Sequence, residues 1–215
     1  MRRCRRLDAL ASRYRRNVER HERRFLEALR PTTTTRERDG GIALAAIEVL
    51  NTWGSFTRAY WLSSFGEPRT ASGLRIRCGH SMLASDPLGF AITTFRPNAV
   101  PKGSGRWDRR LEPSWHDPQT LLKLTREAGL TSAGDVATAF SIDTRVFYDL
   151  PVLRNYFAHR NEDTYLAALR IAALNSMATP RRPFEVLAGV SAGRTQTLFR
   201  EWLGDLDLVT DYLCA

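Results

Sequence analysis

Apolar side chains recur at three- and four-residue intervals through most of this chain, and that period commits it to helices before any other property counts. Leu7, Leu10, Tyr14, Val18, Phe25 and Leu29 mark one face of a long amphipathic helix over residues 2–30. Pro31 and the threonines at 32–35 close it. After Gly40-Gly41 a second helix is predicted over residues 42–65, with Trp53, Phe56, Tyr60 and Trp61 as side chains of core size. Glu48, Asn51 and Arg58 within it would be costly in lipid, so it is expected to be a buried core helix and not a membrane span.

Residues 66–117 break the period. They hold Pro68, Pro87, Pro97, Pro101 and Pro113 among many glycines, and residues 74–78 and 90–95 read as short strands of a hairpin-like insertion. Helical spacing resumes over 118–130, 133–140 and 144–149. Pro151 suits the first turn of a further helix, with Val152, Leu153, Tyr156 and Phe157 on its apolar side. The polar run Arg160-Asn161-Glu162-Asp163 interrupts the pattern. Helices over 164–177 and 196–213 complete the chain. The expected fold is all-α: one domain over 1–215, a helical bundle with a long basic N-terminal helix and one irregular, β-hairpin-like insertion.

Charge is placed unevenly. Only Lys102 and Lys123 are lysines among 32 basic residues, and eleven arginines fall in the first 30 residues against Asp8, Glu19, Glu22 and Glu27. That segment carries most of the formal net charge of +9. A basic face attracts phosphate backbones by releasing counterions, and the arginine fork suits phosphate oxygens; a solvated helix face accounts equally well for the composition alone. Cys4, Cys78 and Cys214 are odd in number and widely spaced, which favours a reducing compartment over a disulfide framework. With no apolar leader segment behind the basic N-terminus, a cytoplasmic location is expected.

Signatures for phosphate loops, dinucleotide binding, hydrolase nucleophiles and helical zinc proteases are all missing. Cys78-Gly-His80 offers two soft ligands with no second pair at zinc spacing, so no metal and no cofactor are expected. Only four histidines are present for acid–base work. Each has an arginine five or six positions before it, so spacing alone selects none. Requiring Asn directly after the arginine leaves Arg16-Asn17…His21 and Arg154-Asn155…His159. The first lies among Glu19, Arg20, Glu22 and Arg23, on a side expected to face solvent. The second is bracketed by Val152-Leu153 and Tyr156-Phe157, so its helix is anchored while Arg154 and His159 project.

The stretch Leu153-Arg-Asn-Tyr-Phe-Ala-His159 resembles the motif of the HEPN superfamily of all-helical ribonucleases, in which Arg, four to six residues, then His is often joined by a polar residue after the Arg. The resemblance covers this motif and the helical layout of residues 40–178. It implies metal-independent RNA cleavage by 2′-OH attack, leaving 2′,3′-cyclic phosphate and 5′-OH ends, with Arg154, Asn155 and His159 catalytic. Arg160 and Asn161 are then candidates for binding substrate. It also implies a homodimer with a composite active site, a role as a toxin or defence effector, and a cognate antitoxin or defence partner. Some such partners modify a tyrosine shortly after the motif histidine; here the nearest is Tyr165, six residues on.

On an unbroken helix, residues five apart are about 140° apart around the axis, so Arg154 and His159 require either a distortion near Ala158 or a second copy. The plainer role for the pair is structural, with His159 at a helix end and Arg154 paired to Asp149 or Glu162. Two other functions fit the same residues: a non-catalytic RNA- or nucleotide-binding HEPN module, and a helical adaptor whose basic arm binds a protein. Trp107 and Trp115 in the insertion suit surface packing, with base stacking as the alternative.

Overall fold

A computed structural model of the chain describes residues 5–79 and 85–215. Cys4, His80 and the start of the basic helix expected from residue 2 lie outside the described residues. The helices in chain order are α1 (Leu7–Ala28), α2 (Thr35–Ser64), α3 (Pro87–Phe95), α4 (Pro118–Glu127), α5 (Ala133–Ala139), α6 (Val146–His159), α7 (Glu162–Leu174), α8 (Pro183–Ala188) and α9 (Leu198–Cys214), with a 3₁₀ turn at Arg109–Leu111. The fold is all-α, as the apolar period predicts. No helix among the described residues is long and apolar enough to cross a membrane.

Three expectations need correction. No β-strand forms among the described residues, only isolated bridges such as Arg69 with Arg75 and Cys78 with Leu130, so the hairpin insertion is not present. Residues 90–95 are the body of α3 instead. Asp86 accepts the Gly89 N–H at 2.8 Å and Pro87 takes the first helical turn, a start signal that outweighs the strand-favouring composition behind it.

Next, α2 begins before Gly40-Gly41. Glu37 Oε2 accepts from the Thr34 N–H at 3.0 Å and hydroxyl at 2.6 Å, while the Glu37 N–H returns to Thr34 Oγ1 at 3.3 Å. This reciprocal cap starts the helix six residues ahead of Gly41 and carries both glycines inside it. Lastly, Pro151 lies in the interior of α6 and does not open it. An interior proline forfeits one helix hydrogen bond. The turn ahead of it is held by Arg145, whose guanidinium bonds both Asp149 oxygens at 3.0 Å, and Asn175 Nδ2 adds a third bond to that buried carboxylate at 3.0 Å.

The chain divides into two compact units: residues 1–14, 53–142 and 209–215 form the first, and residues 15–52 and 143–208 the second. In the first, Tyr14, Trp53 and Phe56 pack within 4.9–5.8 Å of one another, and Trp61 lies against Phe65 and Phe90. The insertion is tied into this core. Trp115 is 8% exposed, the Thr57 hydroxyl donates to its carbonyl, and its indole N–H donates to Glu112, which also pairs with Arg58 at 2.5 Å. Trp115 is therefore a core residue and is withdrawn as a stacking candidate.

In the second unit, Phe25 stacks on Phe199 at 4.3 Å and Phe157 on Phe184 at 5.1 Å. Gly41 lies against Ala28: a Cβ there would lie 2.7 Å from the Ala28 Cβ, whereas one on Gly40 would meet nothing within 4 Å. These neighbours should respond oppositely to the same change. Gly40→Ala gains helix propensity of about 1 kcal/mol and should raise the urea midpoint. Gly41→Ala adds an overpacking cost of roughly 1–3 kcal/mol and should lower it.

Candidate functional site

The seam Val146, Leu150, Leu153 and Phe157 recurs at i, i+4, i+7 and i+11 and is buried, which fixes α6 in the second unit. The opposite seam has the same spacing: Tyr148, Val152, Asn155 and His159. Tyr148 is 70% exposed, Val152 half-buried, and Asn155 and His159 are exposed. Asn155 and His159 thus share one outward face, one turn apart. Arg154, half-buried, stands off that face.

The helix runs through Ala158 without a break, and the Arg160 N–H donates to the Tyr156 carbonyl at 2.8 Å to close the last turn. Arg154 and His159 of one chain therefore remain about 140° apart around the axis. Neither side chain makes an ion pair or hydrogen bond among the described residues. Asp149, the expected structural partner of Arg154, is occupied by Arg145 and Asn175.

The two residues after the motif build the corner into α7. Arg160 adopts a left-handed conformation, φ 46° and ψ 44°, which ends α6 and costs a non-glycine residue about 1 kcal/mol. Asn161 caps α7: its Oδ1 accepts from the Thr164 N–H at 2.9 Å, and the Thr164 hydroxyl meets the Asn161 N–H at 3.2 Å. The Asn161 amide oxygen is thereby committed to structure, while Arg160 is exposed. Tyr165 is half-buried, its hydroxyl donating to the Arg181 carbonyl at 2.7 Å and its ring centred 6.0 Å from that of Tyr156.

The first motif copy behaves differently from expectation. His21 is only 7% exposed, not solvent-facing. Its Nε2 lies 3.0 Å from Thr52 Oγ1, and its Nδ1 finds no partner among the described residues. The surrounding charges named in the sequence lie on the other sides of α1, which is why composition misled. Burial depresses the His21 pKa, Glu48 opposes that, and Arg24 and Arg20 reinforce it. An imidazole enclosed in this way cannot reach an external substrate.

A cleft of about 500 Å³ in the second unit was not visible in the sequence, because its lining comes from three separated segments. Arg145, Asn175, Arg194, Arg200, Glu201 and Asp205 line it, but neither Arg154 nor His159 does. Its charges are largely satisfied internally: Arg145 holds Asp149, Arg200 holds Glu22 at 2.7 Å, and Asp205 accepts from Thr144 at 2.5 Å. No group of three or more His, Cys, Asp or Glu that could hold a metal ion exists among the described residues. The Cys78 thiol donates to the Ala128 carbonyl at 3.3 Å.

Two outcomes are expected. The folded His21 pKa lies below the ordinary value near 6.5, so its contribution to stability is complete above that value and is lost as pH falls through the lower folded value. Urea melts should weaken from pH 7 to 5, and His21→Gln should flatten that dependence. Separately, Arg160→Gly relieves the left-handed turn and should add about 1 kcal/mol of stability in urea melts. If Arg160 contacts substrate, the same variant should weaken RNA binding.

No family model matches the chain, and no curated protein or solved structure shows significant similarity to it.

Proposed function

We propose that this chain is a HEPN-like, metal-independent endoribonuclease whose site is built on the C-terminal half of α6. The observation that carries the reading is that Arg154 and His159 stand without partners among the described residues, on a helix whose opposite seam is locked in a core. Held cations and imidazoles that no internal acid neutralises are available to an external anion. Asn155, His159 and Arg160 are exposed at the end of the helix, which suits a polymer better than a small enclosed ligand. Along α1, Arg16, Arg20 and Arg23 form an exposed row at helical spacing with no ion pair among the described residues, a track for phosphates.

The ribose 2′-oxygen attacks the adjacent phosphorus, its proton passes to an imidazole, and the bond from phosphorus to the 5′-oxygen breaks as that oxygen takes up a proton. The products are a 2′,3′-cyclic phosphate and a 5′-OH. Histidine is the side chain suited to both transfers near neutral pH. The Arg154 guanidinium grips the non-bridging oxygens as charge accumulates. Asn155, on the face of His159, orients the phosphate or the ring. Because the two motif residues diverge on one straight helix, a two-fold dimer through α6 brings Arg154 of one copy to His159 of the other, so that each composite site holds one guanidinium and one imidazole. An effector of this kind acts in the cytoplasm as a toxin or defence protein and is restrained by a cognate partner.

Purified protein in excess EDTA should cut a mixed RNA pool and leave cyclic-phosphate ends. His159→Ala and Arg154→Ala should each reduce the rate by about 10²–10⁴-fold. Mixing these two inactive variants and allowing subunit exchange should restore about a quarter of wild-type activity, since half the dimers then carry one intact composite site. Undiminished cleavage by His159→Ala, or no cleavage by wild type, would overturn the reading; intact RNA binding without cleavage would favour a binding module instead.

A further inference from the structure

The loop between α3 and α4 concentrates charge of one sign. From residue 96 to 111 it carries Arg96, Lys102, Arg106, Arg109 and Arg110 against a single acid, Asp108. That acid is consumed within the loop: Oδ1 accepts the Arg110 N–H at 3.0 Å and caps the 3₁₀ turn, and Oδ2 pairs with Lys102 at 3.0 Å. The four arginines are exposed, and none makes an ion pair or side-chain hydrogen bond among the described residues.

This charge is presented by a fixed backbone. The Lys102 N–H donates to the Arg106 carbonyl at 2.9 Å and the Gly105 N–H to the Lys102 carbonyl at 2.7 Å, folding the tip back on itself; Gly105 has φ 72°. At its base, the Trp107 indole N–H donates to Asp86 Oδ2 at 2.7 Å, while Asp86 Oδ1 caps α3 through Gly89. The clamp leaves no room at residue 89, where a Cβ would fall on the Asp86 carboxylate and 2.7 Å from Trp107 Nε1. A core-anchored loop that holds four unneutralised guanidinium groups in water gains no stability from them. Their mutual repulsion is relieved further when an external polyanion binds.

We infer that the 96–110 loop is a second RNA-backbone contact surface, in which Arg106, Arg109 and Arg110 grip phosphates independently of base identity. The assignment rests on the ribonuclease reading and extends it to how the substrate is held. Arginine forks match phosphate oxygens, and the Trp107 N–H is already bonded, so the loop offers charge and not base-edge readout. Its contribution is to affinity and salt dependence, with sequence preference left to the α6 site.

The test uses the full chain and a 2′-O-methylated single-stranded RNA, which keeps every phosphate and blocks 2′-OH attack. The triple variant Arg106→Gln, Arg109→Gln, Arg110→Gln should bind at least about tenfold more weakly at 0.1 M salt and show a log–log salt slope shallower by about 2. The corresponding Arg→Lys variant should recover most of that slope, with thermal melts of both matching wild type. An unchanged affinity and slope in the Gln variant, while Arg16→Gln, Arg20→Gln, Arg23→Gln still weakens binding, would overturn the loop assignment and leave the ribonuclease reading standing. No RNA binding by wild type would overturn both. Unchanged RNA binding with loss of adhesion to phosphatidylserine vesicles would overturn the assignment in favour of a membrane surface.

Discussion

The corner at Arg160 and Asn161 governs what α6 can present. A single left-handed residue stops α6 directly after His159, and the next residue caps α7, so the chain reverses with almost no linker. A longer α6 would surround the imidazole with a further helical turn, and a floppy linker would leave its position undefined. The corner instead fixes His159 at a helix end, exposed, one turn from Asn155 on the same face. The buried seam from Val146 to Phe157 supplies the rigidity behind it. The strain of a non-glycine residue at φ 46° is offset by the paired hydrogen bonds between Asn161 and Thr164.

Arginine plays two roles that differ only in what stands opposite it. Arg58, Arg145, Arg182 and Arg200 each meet a carboxylate at 2.5–3.2 Å and join segments far apart or one turn apart in the chain. The row on α1 and the group in the 96–110 loop meet none among the described residues. Exposed ion pairs contribute little to stability, so unpaired surface arginines are cheap to keep but also unexplained by folding. Under the proposed ribonuclease reading, the unpaired groups on α1 and in the loop are where a polyanionic substrate would be held.

The helical class was legible because the apolar period is a local property: the chain segments that read as helical became α1, α2, α4, α5, α6, α7 and α9, with α2 starting seven residues early and 144–149 merged with the helix after it into α6. What failed was decided by hydrogen bonds that composition does not display. Residues 90–95 look like strand until Asp86 and Pro87 are recognised as a helix start, and Gly40-Gly41 looks like a break until Thr34 and Glu37 are recognised as a cap. Pro151 was placed at a helix start because local rules favour it there, whereas the Arg145–Asp149–Asn175 network extends α6 back beyond it. The exposure of His159 agrees with its bracketing residues, whereas Arg154 is half-buried. The burial of His21 could not, since the contact that encloses it comes from Thr52, on another helix.

The Asp86 clamp makes a three-point signature out of residues that look unremarkable alone. Asp86 spends one oxygen on a helix cap and the other on an indole, and position 89 must then lack a side chain. Any divergent chain that keeps this loop must preserve Asp, two residues, Gly, and a hydrogen-bond donor near the place of Trp107, even where its arginines have drifted to other positions. Such a spaced pattern gives a means of tracing descent through the most irregular part of the fold, where apolar periodicity offers no guide.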